Sequence, residues 1–157
     1  MLWAALALAA WLSFGSTGHA QNLPFGRLAG HWSGAGTIEL SNAREPIKCR
    51  AAYDVLQEQR KLQLNIRCAS DSYNFDLRAS ANYSRGTITG SWSESTRNAS
   101  GTISGRADGD RFQVTATGPA FTAELTLLTR GDRQSVTIKS KDEQTSVKGA
   151  SITLQRS

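Results

Sequence analysis

Only two cysteines are present, and they sit at matched positions on either side of one turn. Ile47, Cys49, Ala51, Tyr53 and Val55 alternate with polar residues, and Leu62, Leu64, Ile66 and Cys68 do the same. Pairing Val55 with Leu62 sets Tyr53 opposite Leu64, Ala51 opposite Ile66 and Cys49 opposite Cys68. A single antiparallel register therefore buries both apolar sets and joins the thiols, whereas a slip of one residue would turn one set outward. Directly opposed residues lie close enough for a disulfide. The spacing predicts a cross-linked hairpin. Its weak point is Glu58-Gln59, which lacks the Gly or Asn that a two-residue turn prefers. A longer loop in the same register removes the difficulty.

The same period of two runs on from residue 28. Leu28, Trp32, Ile38 and Leu40 share one face; Tyr73, Phe75 and Leu77 another; then come Ile88, Gly90 and Trp92, and Ile103, Gly105 and Ala107. Phe112, Val114 and Ala116 follow, then Phe121, Ala123, Leu125 and Leu127, then Val136 and Ile138, and finally Ile152 and Leu154. Asp108-Gly109-Asp110 and Gly118-Pro119 punctuate the later segments. With about eight to ten short strands and no amphipathic helix, the chain reads as all-β, an antiparallel up-and-down barrel or a sandwich. Many inward positions are small, including Gly34, Gly36, Ala51, Ala79, Gly90 and Ala116. Small residues serve tight strand coiling, or they leave a cavity for a ligand.

Residues 1–20 have the form of an export signal: an apolar run from Leu2 to Leu12, then small residues through Gly18-His19-Ala20. That run is shorter than the ~20 residues of a membrane-spanning helix. Cleavage after Ala20 would leave residues 21–157 as one β-barrel domain, periplasmic or secreted, where a disulfide persists. Lys and Arg number 18 against 13 Asp and Glu, a net charge of +5. These charges are dispersed rather than gathered in a stripe, which argues against nucleic acid as a partner.

Gly30-His31-Trp32 at the head of the first strand resembles the Gly-x-Trp of calycins, the superfamily of lipocalins, avidins and fatty-acid-binding proteins. Arg156 is similar to the basic residue that calycins carry near the last strand. The resemblance implies a barrel in which the Arg156 guanidinium packs against the Trp32 ring. It also implies a small ligand held inside. The short link between the first two strands leaves no room for the helical lid of fatty-acid-binding proteins. The small disulfide-bearing barrels of bacterial periplasmic protease inhibitors are similar in size and architecture.

Tyr53, Phe75, Trp92 and Phe112 face inward and are candidate ligand contacts. Glu94 shares the parity of Trp92, so it is either a polar contact at a pocket mouth or a strand-end residue in water. Arg50 and Arg67 oppose each other on the outer face of the cysteine hairpin, with Lys48 one step along. Opposed like charges destabilise a sheet, so an acid such as Asp71 or Asp76 neutralises them or the trio binds an anion. His31 faces solvent, and no nucleophile and base stand at a readable spacing, so neither a metal, a cofactor nor an enzyme is expected. The leading expectation is an exported, non-enzymatic barrel binding a small apolar ligand. A protein-interaction module, such as a protease inhibitor or envelope partner acting through loops or the basic outer face, is the alternative. An outer-membrane barrel is a third.

Overall fold

The computed structural model describes residues 23–119 and 121–157. The proposed export signal, residues 1–20, lies outside them. Ten strands follow a short 3-10 helix, Pro24–Leu28: β1 (Gly30–Leu40), β2 (Arg44–Leu56), β3 (Lys61–Ala69), β4 (Asn74–Ser84), β5 (Thr87–Glu94), β6 (Ala99–Asp108), β7 (Arg111–Gly118), β8 (Phe121–Arg130), β9 (Arg133–Ser140) and β10 (Val147–Arg156). Each strand pairs antiparallel with its sequence neighbour, and β10 returns to β1, closing the barrel. Closure removes both free sheet edges and rules out a sandwich.

The β2–β3 register is the predicted one, with Cys49 opposite Cys68, Ala51 opposite Ile66, Tyr53 opposite Leu64 and Val55 opposite Leu62. Cys49 and Cys68 are disulfide-bonded, their Cα atoms 4.2 Å apart. The strands are joined by four residues rather than two. Gln57, Glu58 and Gln59 all take left-handed backbone angles, with φ of 50°, 54° and 66°. Non-glycine residues adopt that region at a cost of about 1–2 kcal/mol each. The turn therefore keeps its register under strain.

Leu28 is a correction to the sequence reading, since it lies in the 3-10 helix and β1 begins only at Gly30. Pro24 starts that helix at a position where its missing N–H is no loss. Phe25 and Leu28 are each 1% exposed, so the helix plugs one end of the barrel. Phe25 stacks on Phe112 at 6.1 Å and meets Tyr83 edge-on at 6.2 Å. The Trp32 indole N–H donates to the Leu28 carbonyl at 2.8 Å, and the Arg156 guanidinium lies 4.3 Å from the Trp32 ring centre.

Glycine on the inner face has a backbone cause. A side chain at Gly36 would collide with the Ser151 carbonyl of β10, and one at Gly101 with the Thr117 carbonyl of β7. The strands coil too closely there for any Cβ, so these glycines shape the wall. The outer face carries Ser, Thr, Asn, Gln and charged residues, and among the described residues Leu56 is the only large exposed hydrophobic. That polarity is the reverse of an outer-membrane barrel, which presents its apolar band outward.

Candidate functional site

Inward side chains form three layers. The plugged end is an aromatic floor of Phe25, Trp32, Tyr53 and Phe112, all at most 5% exposed. The opposite end gathers Tyr73, Phe75, Trp92 and Phe121, with Trp92 edge-on to Phe121 at 6.2 Å and Tyr73 edge-on to Phe75 at 6.4 Å. Between them runs an aliphatic belt that includes Ile66, Leu77, Ile103, Val114, Leu125 and Val136, each only half-buried. The four aromatic residues singled out in the sequence are thus divided. Tyr53 and Phe112 pack into the floor, while Phe75 and Trp92 stand at the opposite end. The belt carries the same period-two pattern as every other strand and has no separate signal in the sequence.

The floor holds a small polar group. Tyr53 Oη donates to Gln134 Oε1 at 3.1 Å, and Gln134 is paired across the strands with Thr129. Burial pushes the Tyr53 phenol well above its usual range, and the Gln134 contact only partly opposes this. Tyr53 is therefore neutral at any physiological pH.

Glu94 lies at the rim opposite the plug and is 8% exposed. Its Oε1 accepts from the backbone N–H of Asp76 (2.9 Å), the N–H of Thr96 (3.1 Å) and the Thr96 hydroxyl (2.6 Å), and its Oε2 accepts from the Arg97 N–H (2.9 Å). Burial raises the Glu94 pKa, but the hydrogen bonds from Thr96, Asp76 and Arg97 together outweigh it and hold the carboxyl below its usual range. The carboxylate is thus committed to the β5–β6 turn and to the start of β4. Arg97 reaches the Asn74 carbonyl at 2.9 Å and lies 3.9 Å over the Tyr73 ring. Burial raises the Tyr73 phenol, with Arg97 opposing. Glu45 fastens the neighbouring turn: its carboxylate accepts from the hydroxyls of Ser72 (2.5 Å) and Ser70 (2.7 Å), which lower its pKa.

On the outer face, Arg50 stands directly opposite Arg67 as the hairpin register requires. Arg67 Nε donates to Asp76 Oδ2 at 2.8 Å, so one of the two arginines is neutralised. Arg50 and Lys48 have no acidic partner among the described residues. They line a groove of about 1090 Å³ that also takes in His31, Ser33 and Asn65.

No protein-family model matches the chain, and no curated protein matches it either. Among solved structures, the barrel is similar to that in the crystal structure of Rv2717c from M. tuberculosis, with a TM-score of 0.66 and 11% sequence identity. The match covers 83% of this chain and 93% of that one. At that identity the likeness is one of fold, and what the two chains share is a small closed β-barrel.

Proposed function

We propose that this chain is an exported, calycin-like, non-enzymatic carrier that holds a small apolar ligand within its barrel, entered from the end opposite the Pro24–Leu28 plug. The observation that carries the reading is the contrast between floor and belt. Trp32 and Leu154 are 1% and 0% exposed, yet Ile66, Ile103, Val114 and Leu125, which face the same interior further along, keep accessible surface. These side chains lie on the interior face of the closed wall, which supports a guest seated beside them. A ten-stranded barrel is wider than the eight-stranded one that side chains just fill. The belt is aliphatic and the charged rim residue Glu94 is saturated by its own turn and by the β4 backbone, which favours an apolar guest over a charged one.

The stacking of Arg156 on Trp32 supports the calycin reading, and the Cys49–Cys68 bond supports an oxidising compartment. Export itself rests on the N-terminal apolar run. The test is a panel of aliphatic and aromatic hydrophobes, screened for a rise in the thermal unfolding midpoint together with a change in tryptophan emission. Trp92 stands at the end opposite the plug, so a guest in the belt should perturb its emission. Absence of any shift across graded sizes would remove the carrier reading.

A further inference from the structure

A second site is written on the outside of the barrel. The groove beside Arg50 adjoins another of about 460 Å³, lined by Asp54, Arg78, Ser80, Ser91 and Ser93, and the two share Asn65. Together they cross the outer face from β1 to β5, roughly 19 Å at four strand spacings. Four cationic side chains, Lys48, Arg50, Arg67 and Arg78, face two carboxylates, Asp54 and Asp76. Arg50 sits across from both Ser33 and Arg67, so a cation is held beside another with no acid of its own. Such an arrangement costs stability in the free protein and is relieved by an oxyanion bound to both guanidinium groups.

We propose that this face binds a linear acidic polysaccharide, with carboxylates of successive sugars held by Arg50, Lys48 and the free terminal nitrogens of Arg67. The serine hydroxyls at 33, 80, 91 and 93 and the Asn65 amide are suited to sugar hydroxyls along the same track. No Phe, Tyr or Trp side chain projects outward there to stack a base, and Phe75 and Trp92 face the barrel interior. The length and openness of the track favour a polymer over a single ion. This site is independent of any ligand inside the barrel.

The experiment titrates the disulfide-bonded protein with polygalacturonate oligomers, neutral dextran and oligothymidylate at low and at physiological salt. Binding of polygalacturonate that weakens with salt, with no binding of dextran, is expected. Arg50→Gln should weaken it about fivefold, as loss of one exposed charge contact does. Arg133→Gln, on β9 outside both grooves, should leave it unchanged. Lys48→Gln provides the same reading if Arg50→Gln does not fold. No binding at low salt, equal losses in Arg50→Gln and Arg133→Gln, or tighter binding of oligothymidylate would each overturn the proposal.

Discussion

Arg156 stacks its guanidinium 4.3 Å from the centre of the Trp32 ring while donating to the carbonyls of Ala29 and Arg27 and, through Nε, to Asp132 at 2.9 Å. Trp32 and Arg156 also oppose each other where β1 meets β10. One side chain therefore joins the seam of the barrel to the plug. Lysine cannot reproduce a planar stack and a forked set of donors. Arg156→Lys is expected to cost about 1–2 kcal/mol in urea unfolding and to speed hydrogen exchange at the Trp32 indole N–H. Unchanged exchange would mean that the plug is held without Arg156.

The disulfide links residues 19 apart in sequence. Closing a loop of that size contributes about 3 kcal/mol. Reduction under native conditions should lower the unfolding free energy by that order, and non-reducing peptide mapping of the native protein should recover the Cys49–Cys68 cross-linked peptide. Two free thiols in protein taken from an oxidising compartment would contradict the pairing.

Strain in the β2–β3 turn gives a substitution expected to stabilise. Glu58 is exposed with φ of 54°. Glycine adopts this angle without a Cβ penalty. Glu58→Gly should raise stability by about 0.5–1 kcal/mol, the left-handed cost less the extra entropy of an unfolded glycine. Gln59 is less suitable, because its amide lies against Gly26 of the plug.

Acid sensitivity is expected to centre on the rim opposite the plug. The Glu94 carboxyl titrates below its usual value of 4.5 in the folded state, so its contribution is complete at neutral pH and is lost as pH falls through the folded pKa. Glu45 acts in the same direction. Glu94→Gln should cost about 1–3 kcal/mol at pH 7, because the amide cannot accept all four donors. It should also flatten the loss of stability below pH 4.5. Parallel pH profiles for the two proteins would show that the turn does not depend on the charge.

The barrel is legible in the sequence wherever alternation fixes register. Cys49 and Cys68 reveal the β2–β3 pairing because a shift of one residue would turn the apolar set of one strand outward, its sulfur included, and part the two thiols. Trp32 and Arg156 are legible only through a family resemblance, since nothing local to either strand says that the first meets the last. Phe25 gives no periodic signal, as a five-residue 3-10 helix is too short for one, and its burial depends on Phe112 and Tyr83 far along the chain. Parity places Glu94 inward but is silent on the turn N–H groups that claim its oxygens. The belt differs from the floor only in how deeply its side chains are buried, a property of closure that no single strand encodes.

The most direct test of an accommodating interior compares the native protein with Val114→Phe, a substitution in the belt between Gly105 and Leu125. Calorimetric unfolding midpoints are measured for both, with and without the hydrophobe that shifts the native protein most. At one hundred times its dissociation constant the guest should stabilise the native protein by about 2.7 kcal/mol. Val114→Phe should fold with near-native stability and lose that response, because its ring takes the guest's place. If the interior is already filled, the larger side chain will instead destabilise the fold by about 1–3 kcal/mol and no compound will raise the native midpoint. That pair of results would contradict the account.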